Sequence, residues 1–280
     1  CQSYEQCLQF LAERGWGDTD TSADGEKMLK REEEKIWQTV RELSIDKKKF
    51  EVLSYQKLFH NLKAAVKAAC VKEVPRDIFY EDTEVSGQEM LDIIREKDFG
   101  RLPAGMSQAA QQACDALLHA GDGQLCDIII DRAALDAIYK AGMESEDEII
   151  RDYARSVVAV ADIKIAVRAQ KTAKSIEFMK QAMAECGSLS VDQLAKAALS
   201  GPEAIRDYLL GTEYAGGAQA LAESMSAFER WCDNRIIQTI SPQKYKAFTI
   251  GPVVAYVLAR QNEIKTVRIV LSGKRSELPE

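Results

Sequence analysis

Two histidines, seven cysteines and a few paired carboxylates are the residues from which this 280-residue chain could assemble an active centre. Histidine would act as general base or metal ligand, a cysteine thiolate as nucleophile, and carboxylates on one helix face as an acid–base pair. None of them falls into a working pattern: H-E-x-x-H and G-x-S-x-G are both absent. His60 lies within a helical pattern, where a surface or packing role is expected. His119, in Ala116-Leu-Leu-His-Ala120, stands at a helix end, where a capping or cation contact suffices. The cysteines (Cys1, Cys7, Cys70, Cys114, Cys126, Cys186, Cys232) are widely spaced without a C-x-x-C. They read as small buried hydrophobes of a reducing compartment, the cytosol by default. Asp127 and Asp131 share one helix face and read as exposed. Leu271-Ser-Gly-Lys-Arg275 has the Gly-Lys of a phosphate loop, but Arg268 stands where that loop starts with glycine, and Arg275 where it needs Ser or Thr. The backbone cradle is therefore missing, and Gly273 reads as a helix stop. No catalytic, cofactor-binding or metal site is assigned, and no cofactor is expected.

A different pattern does stand out. Asn61-Leu62-Lys63, Asp162-Ile163-Lys164 and Glu263-Ile264-Lys265 repeat one tripeptide at an interval of 101 residues both times, 61 to 162 and 162 to 263. The first two copies match further, Asn-Leu-Lys-Ala-Ala-Val-Lys-Ala-Ala (61–69) against Asp-Ile-Lys-Ile-Ala-Val-Arg-Ala-Gln (162–170). The third diverges, with Arg268 at the apolar place of Val66 and Val167. Self-similarity at a fixed period marks a duplicated supersecondary unit. Asn61, Lys63, Asp162, Lys164, Glu263 and Lys265 are thus the residues singled out. For the three lysines a helix-packing or ion-pair role within the repeat is expected, ahead of ligand binding.

The elements that must carry these residues are helical. Few prolines, few aromatics and abundant Ala, Leu, Ile, Glu, Lys and Gln favour helix, because such side chains lose little rotamer freedom there. Apolar periodicity predicts a short helix around Leu8 and Leu11, and a charged one through Met28, Ile36, Val40 and Leu43. In the latter, the Arg31-Glu-Glu-Glu-Lys35 run reads as a solvated face. The first repeat helix is expected from about 54 to 72, stopping before Pro75, with long helices near 124–141, 145–171, 217–240 and 250–272. Capping boxes are read at Ser86/Glu89, Ser145/Glu148 and Ser190/Gln193, and helix stops at Gly121, Gly142 and Gly187. The segments Asp127–Ile130 and Val267–Leu271 are β-prone alone but lie inside helical patterns. The expectation is an all-α chain.

With 37 basic against 44 acidic residues, the net charge of −7 argues against nucleic acid or an anionic membrane surface as the main ligand. No apolar run approaches the roughly 20 residues that a spanning helix needs. The start at Cys1 suggests a fragment lacking its true beginning. A lipid-carrying cysteine is the other reading, and mass spectrometry of the native N-terminus separates the two.

Three stretches carry a family resemblance: Phe59–Ala68, Asp162–Ala169 and, most specifically, Gly251-Pro252 followed by an apolar helix, Asn262-Glu-Ile-Lys265 and Arg268-Ile-Val-Leu-Ser-Gly-Lys274. Together they resemble the C subunit of the V-type (vacuolar/archaeal-type) ATP synthase, the homologue of the d subunit of the eukaryotic V-ATPase. The resemblance implies three similar helical repeats around a pseudo-threefold axis forming a funnel. Their bounds would be 1–75 (N-terminally incomplete), 76–173, and 174–280 (C-terminally incomplete). It further implies a non-catalytic central-stalk component of a rotary ATPase. Its partners would be the central-shaft subunits and the proteolipid ring of the membrane sector, on the cytoplasmic side, with no nucleic acid and no direct lipid anchor. The family carries a further helical stretch before position 1 and a short basic segment after Leu278-Pro279-Glu280, which again points to a trimmed chain. The alternative is a helical-repeat scaffold for an unrelated protein partner.

Overall fold

Helix starts in this chain are written in side chains that accept backbone N–H groups. In the computed structural model, which describes residues 3–71, 78–103 and 105–276, Ser3, Asp24, Ser86, Asp122, Ser175 and Ser190 each cap a helix in this way. The helices they and their neighbours begin are α1 (Tyr4–Ala12), α2 (Gly25–Glu42), α3 (Glu51–Ala68), α4 (Gly87–Glu96), α5 (Met106–Leu118), α6 (Gly123–Glu144) and α7 (Glu148–Lys171). After these come α8 (Ile176–Ala182), α9 (Val191–Ser200), α10 (Pro202–Leu210), α11 (Ala215–Glu223), α12 (Met225–Ile240) and α13 (Gly251–Arg275). Among the described residues there is no strand, and the β-prone segments Asp127–Ile130 and Val267–Leu271 lie within α6 and α13. The chain is all-α.

The local punctuation differs from expectation at several points. Gly142 lies inside α6 and Gly273 inside α13, so neither stops its helix. Gly187 lies in the connection before α9 at φ +72. The Ser145 hydroxyl accepts the N–H of Asp147, and α7 is capped at Asp147. The helix expected over 217–240 is broken at Ser224, whose extended backbone (φ −170, ψ 164) separates α11 from α12. Helix α3 ends at Ala68; the expected end at 72, the stop at Pro75 and the boundary between 75 and 76 lie outside the described residues.

By contact density the chain forms two units, one of residues 1–50 with 240–280 and one of 51–239. This division concerns contacts and does not delimit sequence repeats. In the terminal unit, α13 packs on α2 and α1. It buries Val254, Val257, Leu258, Ile264 and Leu271, with Met28, Leu29, Ile36 and Val40 buried on α2. The central unit holds α3–α11 and most of α12. Its core joins Leu58, Leu62 and Val66 of α3 to Met90, Ile93 and Ile94 of α4, Ala110 and Ala113 of α5, and Cys126 and Ile130 of α6.

Helix α7 packs against α6, α8, α9 and α10 and has more than half of its residues buried, Val157 to Val160 in an unbroken run. It comes very close to α6 at Gly142, where any Cβ would collide with the Cβ of Ala154. Filled space at that point leaves no room for even one methyl group. The expected result is that Gly142→Ala destabilises the chain by about 1–3 kcal/mol through overpacking. Urea unfolding followed by circular dichroism would show it as a lowered midpoint at unchanged m-value.

Candidate functional site

Each of the three repeated tripeptides falls on a long helix, α3, α7 or α13, and its first residue is polar. In α3 that residue, Asn61, is fully buried. Its Oδ1 accepts the N–H of Tyr80 at 2.8 Å, while its Nδ2 donates to the Tyr80 carbonyl at 2.8 Å and to Thr83 Oγ1 at 3.0 Å. One amide thus satisfies both backbone groups of Tyr80, in the segment that leads into α4. Two residues on, Lys63 Nζ reaches Asp131 of α6 at 2.5 Å, and one turn further Lys67 reaches Asp127 at 2.6 Å. The carboxylates four apart on α6 therefore form an ion-pair ladder with α3.

Helix α7 repeats the arrangement. Asp162 is fully buried, and its Oδ1 accepts the N–H of Ala184 at 2.9 Å in the segment leading into α9. Its Oδ2 has no hydrogen-bond partner among the described residues. Burial raises its pKa to about 8, against the lowering effects of the Ala184 bond and of Arg132. Lys164 pairs with Glu229 of α12 at 2.7 Å. Burial works to lower the pKa of this ammonium, but the hydrogen bond to Glu229 and the acidic charges nearby outweigh it, so the net direction is upward.

The third copy departs from this. Glu263 is exposed and pairs with Arg260 one turn earlier, and Lys265 is exposed. The buried polar contact of α13 comes instead from Arg260, whose Nη2 meets Glu32 Oε2 on α2 at 2.5 Å and whose guanidinium stands 5.1 Å from the Trp16 ring centroid. Glu32 is 3% exposed, and its other oxygen takes Lys35 at 2.6 Å and the N–H of Gly17 at 2.8 Å. Arg268 adds a 3.5 Å pair to Glu26.

Reading residues 31–35 as a solvated face missed Glu32. The signal was present: position 32 continues the stripe of Met28, Leu29, Ile36 and Val40, so a carboxylate there must turn inward. A buried charge requires this full set of partners, because an unpaired one is expensive.

The remaining chemistry-bearing residues are dispersed. His60 bonds the Ile78 carbonyl and packs edge-on to Tyr80, and His119 lies 3.7 Å from Asp115. Cys7, Cys114, Cys126, Cys186 and Cys232 are buried, and Cys70 is exposed. Burial pushes the Cys114 and Cys126 thiols up to about 11 and that of Cys232 to about 12, which keeps them protonated and inert. Among the described residues no three His, Cys, Asp or Glu side chains converge to hold a metal ion. A groove between α3, α5 and α6 has an apolar floor that includes Phe59, Met106 and Ile129. On its rim, Arg132 is held by Asp136 and by the carbonyls of Lys180 and Met183.

Comparison with known proteins adds what the geometry does not name. The family profile for the ATP synthase (C/AC39) subunit matches residues 1–280. The C subunit of the A-type ATP synthase of Methanocaldococcus jannaschii is 24% identical over 166 residues, covering 54% of this chain and 41% of the relative. The C subunit of the V-type sodium ATPase of Enterococcus hirae is 21% identical over 257 residues, covering 90% of this chain and 78% of the relative. The C subunit of the A-type ATP synthase of Methanobrevibacter smithii is 24% identical over 218 residues, covering 72% and 55%. The chain thus spans about half the length of the two archaeal relatives.

Two substitutions test these contacts. Asn61→Ala strands both the N–H and the carbonyl of Tyr80 and is expected to cost about 2 kcal/mol, read from chemical denaturation. Glu32→Ala leaves Arg260 without its buried partner and is expected to cost about 3 kcal/mol. The double variant Glu32→Met/Arg260→Met should recover a large part of that loss, which a double-mutant cycle would measure.

Proposed function

The chain belongs to the ATP synthase (C/AC39) subunit family, and we propose that it serves as a non-catalytic central-stalk component of a V-type rotary ATPase or ATP synthase. In this role it couples the rotating shaft to the membrane proteolipid ring for ATP-linked proton or sodium transport. It would sit on the cytoplasmic face, held to the membrane through the complex. The choice of ion is then made in the ring and not in this chain. The observation that carries the reading is the family match over the full 280 residues.

The described helices suit such a coupler. Torque is transmitted by elements that do not slide, and long helices locked to their neighbours by ion pairs and buried polar ties meet that need. Among the described residues no helix is long and apolar enough to cross a membrane, so contact with the ring would be made by surface residues.

The arrangement proposed for the whole is three similar helical units, 1–75, 76–173 and 174–280, about a pseudo-threefold axis forming a funnel. The recurrence of elements supports it. Helices α2, α6 and α12 begin at 25, 123 and 225, and α3, α7 and α13 at 51, 148 and 251. The pairs Lys67–Asp127 and Arg268–Glu26 also join a tripeptide helix to one of the former set, in the central and the terminal unit respectively.

Mixing the chain with the shaft subunits of the same genome, followed by size-exclusion chromatography, tests the coupling role. Co-elution in fixed stoichiometry is the expected outcome. Separate elution of a chain whose circular dichroism shows intact helix, repeated with the proteolipid ring, would remove the coupling role and leave a scaffold for an unrelated partner.

A further inference from the structure

Asn61 and Asp162 occupy the same place in two copies of one device. Each is the first residue of its tripeptide, each is fully buried, and each takes a backbone N–H from a segment leading into a serine-capped helix, α4 in the first copy and, beyond α8, α9 in the second. The correspondence extends to the register. Tyr80 lies six residues before the cap Ser86, and Ala184 lies six residues before the cap Ser190. In the first copy the second arm of the side chain is a donor, Nδ2, which binds the carbonyl of the same residue whose N–H the first arm receives. In the second copy that arm is Oδ2, buried and without a hydrogen-bond partner among the described residues.

A carboxylate is charged and accepts only, whereas a protonated carboxyl, like an amide, is neutral with one accepting and one donating arm. We propose that Asp162 holds a proton in the folded chain at neutral pH and so stays neutral, like the amide of Asn61 in the first copy, and that this tie on residues 183–190 loosens when the carboxyl ionises.

The surroundings favour the neutral form. Among charged groups near it, Arg132 on α6 is the cation, and it is already bound to Asp136 and to the carbonyls of Lys180 and Met183. Asp136 and Glu185 add negative charge that opposes ionisation. On the other elements packed against α7, Lys180 of α8 is held by Asp192 of α9 at 2.6 Å, and Arg206 of α10 by Glu203 at 3.4 Å. Among the described residues Asp162 has no ion-pair partner, which a buried carboxylate would need.

Linkage sets the sign. The native state keeps a proton that the unfolded chain releases above its ordinary carboxyl range near 3.8, and the native group lets go at about 8. Stability then falls as pH rises from about 4 and levels off above about 8. Asp162→Asn is neutral at every pH, so its stability lacks that slope.

The experiment is urea unfolding of the parent and of Asp162→Asn from pH 5 to 9. The parent's unfolding constant is expected to grow relative to the variant's by about tenfold per pH unit between 5 and 7.5, then to run parallel above 8. The infrared difference spectrum of the two proteins at pH 7 should show a protonated carboxyl carbonyl that is present only in the parent. Hydrogen exchange at 183–190 should accelerate between pH 7 and 9 more in the parent than in the variant. Identical pH profiles, an Asp162→Asn chain less stable than the parent at pH 8, or a carboxylate band for Asp162 at pH 7 would each overturn the proposal.

Discussion

A backbone segment that enters a packed interior must have its N–H and carbonyl groups answered by something other than water. In the central unit that demand falls on single polar side chains of the long helices. Asn61 answers for Tyr80, and Asp162 answers for Ala184. Each tie brings an extended connection down onto a helix and so fixes where the following cap serine, Ser86 or Ser190, begins the next helix. Remove the tie and the connection must retreat towards solvent, taking the start of α4 or α9 with it. The core beneath depends on these ties holding.

Charge pairing adds a weaker and more distributed layer. Lys63–Asp131 and Lys67–Asp127 lie in solvent-accessible positions, and pairs of this kind contribute about 0.2–1 kcal/mol each. Their value is in register, since a ladder of two pairs matches only one axial setting of α3 against α6. Glu32 differs in kind. With 3% exposure it is held by Arg260, Lys35 and the Gly17 N–H together, the kind of partner set that a buried carboxylate requires.

Much of the secondary structure was legible in the residues. The short first helix, the charged second one and the four-turn or longer helices α6, α7 and α13 followed from apolar spacing, and Ser86 and Ser190 were readable as caps. The misreadings share a cause. Gly142 looked like a helix stop because glycine costs helix stability, but its smallness serves the approach of α7 at Ala154, a contact between two helices. Glu32 looked solvated because its neighbours are charged, yet its place on the apolar stripe of α2 turned it inward. Ser224 broke an otherwise continuous helical pattern that local propensity alone would have carried through.

By itself the sequence determined the all-α class, the equal spacing of the tripeptides and the absence of any local catalytic motif, because composition, periodicity and spacing are properties of the chain in one dimension. It singled out Asn61, Lys63, Asp162 and Lys164 without saying what they touch. Only the tertiary structure decided that Asn61 binds Tyr80 with two arms while Asp162 binds Ala184 with one, that Lys63 and Lys164 meet Asp131 and Glu229, and that Arg260, not Glu263 or Lys265, makes the buried contact of α13. These partners lie 19 to 228 residues apart in the chain. Pairing across such separations is set by how helices pack, and helix packing is a sum over many apolar contacts that no local pattern encodes.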